Sequence, residues 1–453
     1  MSGNSTTSLQ IETNNRQIIR MALPISLAIL IPQLNFVINN IFLGNYQGDS
    51  EAFAVAGITG VYYLIFAAIG YGLNNGLQTL IARRAGENRP EEIGKLFNQG
   101  VLIGLLLAAG GILLTYSVTP ILFSYVIHDK QLLEKAVSFL EIRVWGLPFL
   151  YVYQLRNALL VGINQSRFLI AGTLAETLAN VLLDYALIFG HWGLPELGFN
   201  GAALASVAAE GIGLFVIYWV IHYKGIGRQF SLFNKIKWSS HDNSLILAVS
   251  APLMFQHAIS IISWQYFFLL IEHHGAMALK VSNIMRNIFG LFGCFSWAFA
   301  ATANAMVSNV IGQNKHQEVG SLVWRIIRLS SGTVFTVVLL LNIFPALFIS
   351  LFGQGPEFFT AALPVLRVVS AALFLSSFST VLLNTVTATG NTRITFLIEA
   401  GAITLYCSYI YLVSEYYFLP IHFGWMSEWL YWLCLFLPSL WYLKSGRWKN
   451  KSI

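Results

Sequence analysis

Glu176, Asn180 and Asp184 stand at positions i, i+4 and i+8 in the apolar stretch AETLANVLLDYALIF, residues 175–189. If the stretch is helical, eight residues turn through about 800°, so Asp184 lies within roughly 80° of Glu176, with Asn180 between them on one stripe. Ionisable groups at bilayer depth cost about 2.5–3.5 kcal/mol each on insertion scales, and such side chains face a bundle interior or a wet cavity. An amide alone would serve as interhelical glue, at under about 2 kcal/mol per contact; two acids are poorly suited to that task. A low-dielectric bundle favours the neutral form of a carboxyl group, which lets it take up and release a proton as its site opens to either side. The stripe reads as a candidate coupling switch, Asp184 first and Glu176 second.

Neutral polar residues concentrate nearby in sequence. PQLNFVINNIFLG, residues 32–44, carries Asn35 and Asn39 one turn apart, and the second apolar segment carries Asn74, Asn75 and Gln78. Asn35, Asn74, Gln78 and Gln256 are expected to line a hydrated substrate cavity. The remaining intramembrane ionisable residues are Glu141, Arg143, Glu210, Arg286, Arg367 and Glu399. Arg286 and Glu399 lie about 15 Å and 12 Å from opposite membrane faces at 1.5 Å per residue, so both sit near the midplane. An unpaired arginine there is costly, which predicts a structural Arg286–Glu399 ion pair, with Glu272 and Lys280 as a lesser pair towards the rim. No catalytic motif competes: there is no H-E-x-x-H, no G-x-S-x-G and no phosphate loop, and His257 reads as a core residue. Cys294, Cys407 and Cys434 all lie in apolar segments and make neither a disulfide framework nor a metal site.

The elements that must position these residues are membrane helices. A chain of 453 residues that is 56% hydrophobic and 10% charged lacks about half the charge of a water-soluble surface. Windows of roughly 20 apolar residues predict twelve helices, beginning near residues 17, 51, 93, 132, 168, 200, 243, 276, 319, 360, 391 and 422. The runs are continuous and do not alternate, which excludes a barrel. Basic residues gather in every second loop and at both ends: Arg16 and Arg20, Arg83 to Lys95, Arg167, Lys224 to Lys237, Lys315, Arg393, and Lys444 to Lys451. The positive-inside rule then places both termini in the cytoplasm of an inner-membrane, multi-pass protein. The pI of about 9.1 is accounted for by topology; no soluble basic domain suggests nucleic acid. The polar opening MSGNSTTSLQIETNNR has no short hydrophobic region with a cleavage site and is not read as a signal peptide.

The chain is also written twice. GENRPEEIG, residues 86–94, aligns without a gap with GQNKHQEVG, residues 312–320, and the same offset matches Phe66 with Phe292, Leu147 with Leu373 and Arg167 with Arg393. Six helices separate corresponding points, so the halves cross in the same sense and form a parallel repeat. The expected organisation is a polar N-terminus at 1–16, an N-lobe six-helix bundle at 17–222, a cytoplasmic linker at 223–242, a C-lobe bundle at 243–444 and a basic tail at 445–453. Two such bundles around a midplane cavity are the usual build of a secondary transporter.

INNIFLG ending helix 1, ARRAGENRPEE after helix 2, GLPF in helix 4, LDYALIFG ending helix 5, GFNGAALAS opening helix 6 and GNTR after helix 10 together resemble the multidrug and toxic compound extrusion (MATE) transporters, over nearly the whole chain. The resemblance implies two six-helix lobes exporting cationic, lipophilic compounds in exchange for protons or sodium. It further implies an N-lobe coupling site in which a helix 1 aspartate works with an asparagine and an aspartate one turn apart in helix 5. Asn180 and Asp184 match that pair; the helix 1 position holds Asn39. Other members carry a helix 7 glutamate eight residues after a proline, where this chain has Ser260 after Pro252. With one acid fewer, a dehydrated sodium ion lacks a charged oxygen ligand. The reading is a monomeric, cofactor-free antiporter, not an enzyme, that exchanges small cationic substrates for protons by alternating access. The alternatives are a lipid-linked oligosaccharide flippase and a membrane-embedded lipid-modifying enzyme.

Overall fold

Continuous apolar runs leave the backbone no partner in lipid, so every N–H and C=O must be satisfied within the segment, and helices result. The computed structural model describes residues 9–45, 52–234, 237–350, 355–450 and 453, without the side chains of 36–45, 52–58, 126 and 450. The long helices are α1 (Asn15–Asn45), α2 (Ala52–Gly86), α3 (Pro90–Val126), α4 (Lys130–Gly162), α5 (Ser166–Phe189), α6 (Gly198–Tyr223), α7 (Ser240–Glu272), α8 (Ala276–Gly312), α9 (His316–Ile343), α10 (Gly355–Ala388), α11 (Thr392–Tyr416) and α12 (Ser427–Lys444). They begin within a few residues of the expected windows. Among the described residues, ten helices are long and apolar enough to cross a membrane; α2 and α12 are not in that set. Outward-facing side chains such as Leu113 at 70% and Phe215 at 65% exposure make a surface suited to lipid and not to water.

Repeat and packing agree. Asn88 and Asn314 adopt positive φ at equivalent turns, as do Asn164 and Gly390; Asn and Gly are the residues that tolerate this conformation. In the first half α5 packs on α1 and α6, and α4 on α2 and α3; in the second, α10 packs on α8, α9 and α12, and α11 on α7 and α12. The halves meet where α2 lies against α7 and α8, and α1 against α8. Gly86 and Gly312, repeat equivalents, approach the opposite half closely: a Cβ on Gly86 would lie 2.0 Å from the Asn309 carbonyl oxygen, and one on Gly312 2.4 Å from that of Arg83. The seam is polar as well as tight. Thr79 donates to Asn304 Oδ1 at 2.7 Å, and buried Arg83 donates to the carbonyls of Ser308 at 3.1 Å and Ala388 at 3.0 Å.

The segment before α1 runs across both halves. Gln10 donates to the Gly86 carbonyl at 2.9 Å, Asn309 to that of Leu9 at 2.9 Å, and Thr13 to Glu318 Oε2 at 2.9 Å, while Ile11 is buried in the core.

Candidate functional site

The α5 stripe faces inward as its spacing requires. Asn180 is buried; its Oδ1 accepts from Asn35 Nδ2 of α1 at 2.7 Å, and its Nδ2 reaches Ser206 Oγ of α6 at 3.5 Å. One amide therefore ties three helices. Asp184, one turn on, is 1% exposed, and neither carboxylate oxygen has a hydrogen-bond partner among the described residues. Glu176 lies at the other end, half-buried; Gly213 of α6 makes room for it, since a Cβ there would sit 2.7 Å from that of Glu176. Arg156 is fully buried nearby, donating to the carbonyl of Tyr153 at 3.1 Å with its guanidinium 3.7 Å above the Tyr153 ring. Asn39 lies on α1, but its side chain falls outside the described residues.

The ion pair of this half was not foreseen. Arg143 Nη2 meets Glu210 Oε1 at 2.6 Å and Nη1 meets Oε2 at 3.2 Å, a bidentate pair, while Nη1 also donates to Tyr63 at 2.8 Å. Gly146 leaves space for it: a Cβ would lie 2.3 Å from both Arg143 Nη1 and Glu210 Oε2. A usable signal existed. Arg143 stands 13 residues into α4 and Glu210 12 into α6, about 20 Å and 18 Å along helices that enter from the same face.

In the second half the expected Arg286–Glu399 pair does not form. The Arg286 guanidinium lies 5.0 Å from the Phe268 ring centroid. Glu399 instead accepts from Ser260 Oγ at 2.6 Å, from Gln256 Nε2 at 3.5 Å and from the Tyr431 hydroxyl. The two residues stand on helices with different neighbours: α8 packs on α10, α2 and α1, whereas α11 packs on α7 and α12. Glu272 and Lys280 are both exposed and make no ion pair with each other. The residues expected to line a cavity, Asn35, Asn74, Gln78 and Gln256, fall in three places. Asn35 belongs to the α5 site and Gln256 to Glu399. Gln78 donates across the seam to the Ala301 carbonyl at 3.0 Å, and Asn74 to Asn75 at 3.3 Å, because this face of α2 is pressed against the opposite half. His257, 3.0 Å from Asn75 Nδ2, is a satisfied core residue.

The family model MatE matches residues 24–186 and 252–412, one segment in each repeat. The chain belongs to the MATE family. It is thus a membrane transporter and not an enzyme. It is 28% identical over 222 residues to a probable multidrug resistance protein NorM of Synechocystis sp., an alignment covering 49% of this chain and 47% of that protein. A probable multidrug resistance protein NorM of Thermotoga maritima is 21% identical over 447 residues, covering 97% and 94%. In fold the chain matches an outward-facing multidrug resistance MATE family transporter of the MOP superfamily with a TM-score of 0.89 at 15% identity, covering 100% of both chains. It matches a MOP superfamily transporter from Pyrococcus furiosus with a TM-score of 0.88 at 16% identity, again over 100% of both.

Within this MATE chain the two halves thus carry different chemistry. The α5 site holds a carboxylate with no hydrogen-bond partner among the described residues, beside a fixed amide; the Glu399 site holds a carboxylate with three donors. The serine in place of a helix 7 acid does not leave that region without one, because Glu399 reaches it from α11.

Proposed function

We propose that this MATE protein exports cationic, lipophilic small molecules from the cytoplasm across the inner membrane in exchange for protons, with both termini cytoplasmic. The multidrug resistance names of its relatives support the export reading. The observation that carries the coupling reading is Asp184, buried to 1% exposure with no hydrogen bond to either oxygen among the described residues and one turn from Asn180, which α1 holds through Asn35. A charge on such a carboxylate needs a proton or a cation to offset it. Proton and substrate therefore compete for one acid: protonation from outside releases the substrate, and deprotonation inside restores affinity. Glu176 is the second acid of the stripe. Asn39 supplies no charged oxygen, which favours the proton over sodium. A membrane potential of about 100 mV adds roughly 2.3 kcal/mol per net charge moved, close to fiftyfold in gradient. No cofactor takes part.

The test is dye efflux from proteoliposomes under an imposed pH gradient. Asp184→Asn keeps the shape and loses the titration, and is expected to abolish coupled export while the protein remains folded; Glu176→Gln should weaken it. Export by Asp184→Asn at the parental rate would remove the coupling assignment. Export driven by a sodium gradient at fixed pH with a protonophore present would remove the proton.

A further inference from the structure

Where α11 and α12 pack side by side, a groove of ≈ 620 Å³ opens on the second half, apart from every residue assigned above to coupling or to the seam. Its walls include Leu397, Leu405, Leu437 and Trp441, all exposed. Gly401 keeps it open: a Cβ at this position would meet nothing within 4 Å. From Ile394 to Leu405 the lining follows α11 for about 16 Å at 1.5 Å per residue, close to half of the roughly 30 Å hydrocarbon core. One end is polar. Asn391, which precedes α11, donates to the Tyr442 hydroxyl at 3.0 Å, and both line the groove where α12 stops. Arg447 lines the same end, exposed, with its guanidinium 5.7 Å from the Trp441 ring centroid. Trp448, 6% exposed and donating to the Leu443 carbonyl at 2.9 Å, anchors the chain after α12 and so holds Arg447 at the mouth. Arg393, Lys444 and Lys449 stand exposed at this end as well. Among the described residues none of these four cations has an ion-pair partner, and the groove is lined by no Asp or Glu.

An occupant of this groove must be apolar over the depth of one leaflet and negatively charged at the membrane surface. A soluble anion would meet the charges and leave the apolar length empty, forfeiting its dispersion contacts. A helix of a second copy would need a face running through both leaflets, and the groove runs through about one. A phospholipid with an acidic head group satisfies both ends. Basic residues at the end of membrane helices attract such head groups, at about 1 kcal/mol or roughly fivefold in affinity each, and a tryptophan at the same level marks the interface. We infer that an anionic phospholipid occupies this groove, one acyl chain lying along α11 over Gly401 and its phosphate held at Arg447, with Arg393, Lys444 and Lys449 supplying the surrounding positive field. The leaflet is the one on the side where α12 ends, which is the cytoplasmic leaflet in the orientation proposed above. The inference does not depend on the export reading, since no residue of the α5 stripe takes part.

The test is native mass spectrometry of the full-length protein released from detergent micelles, titrated with phosphatidylglycerol or with phosphatidylcholine of the same acyl chains. The first phosphatidylglycerol is expected to bind at least tenfold more tightly than the first phosphatidylcholine. Arg447→Gln should weaken phosphatidylglycerol about fivefold and leave phosphatidylcholine unchanged, while Arg447→Lys, which keeps the charge, should stay within about twofold. Gly401→Leu fills the groove and should weaken both lipids severalfold. Size-exclusion profiles establish that each variant is folded, and Leu437→Ala, at an exposed wall position, is the second groove variant if Gly401→Leu disrupts the lobe. Arg228→Gln removes an exposed cation from the loop between the halves and should change nothing. Equal affinity for the two lipids, parental affinity in Arg447→Gln or in both groove variants, or a loss in Arg228→Gln as large as in Arg447→Gln would each overturn the inference. Displacement of the lipid by millimolar inorganic phosphate would do so too, as would a dimer that Gly401→Leu abolishes, because the groove would then have another occupant.

Discussion

Arg143 and Glu210 bear the structural load that was expected of Arg286 and Glu399. Their bidentate geometry, with Tyr63 completing the guanidinium's bonds, is the arrangement in which a buried pair can repay its desolvation. Removing one partner strands the other: Glu210→Gln or Arg143→Ala is expected to cost about 3–5 kcal/mol, measured as a lowered midpoint of thermal unfolding in nanodiscs. Replacing both together, Arg143→Met with Glu210→Leu, should recover much of the loss, because an apolar pair of similar volume carries no desolvation debt. Gly146→Ala should fall with the single variants, since its methyl would meet both partners at 2.3 Å. Single variants that melt with the parent would show the pair to be idle. Asp184 is the opposite case. Among the described residues it has no hydrogen-bond partner to lose, so Asp184→Asn should not lower the unfolding midpoint, and a large drop would mean that the carboxylate is structural.

At the scale of elements, α2 and α8 form the seam between the repeats. Their contact depends on glycine at the two equivalent positions, because the Asn309 carbonyl oxygen would lie 2.0 Å from a Cβ on Gly86, far inside any van der Waals distance. With the three native cysteines replaced, Thr79→Cys and Asn304→Cys, whose side chains bond at 2.7 Å in the parent, should form an intramolecular disulfide under mild oxidation. Adding Gly312→Val should reduce its yield severalfold, as read on gels. An undiminished yield would mean that the helices close without needing that glycine. The repeat motif was legible before the helices were: GENRPEEIG and GQNKHQEVG fall on equivalent turns after α2 and α8, and their Asn88 and Asn314 share the same positive φ. The mutual contact of Gly86 and Gly312 was not legible, because a repeat gives equivalence and not proximity.

For the whole molecule, the segment before α1 acts as a strap across the end where α2 and α8 terminate. It bonds Gly86 on one side and Asn309, Gln313 and Glu318 on the other, and it buries Ile11 against both. On the proposed alternating mechanism, such a strap is released when this end opens. Ile11→Asp places a charge in an apolar seat, and it is expected to shift the population towards the state open at this end. The measurement is the labelling rate of Arg83→Cys by a membrane-impermeant thiol reagent in inside-out vesicles, which should rise severalfold. An unchanged rate would leave the strap without a role in closure.

What the amino-acid order alone determined is whatever runs along a helix axis: the approximate places of the helices, the parallel repeat, and the common face of Glu176, Asn180 and Asp184. These follow from a fixed rise and a fixed turn per residue, so they need no neighbour. What the tertiary structure alone decided is whatever runs across the axis. Glu399 found Ser260, Gln256 and Tyr431 and not Arg286, Arg143 found Glu210, and Gln78 was spent on the seam. Helices of this chain are apolar on most of their circumference, and lipid is as good a solvent for leucine as another helix is. Hydrophobicity therefore sets which segments enter the membrane and leaves their rotation and partners to close packing and to the few polar bonds, which exist only once the helices are assembled.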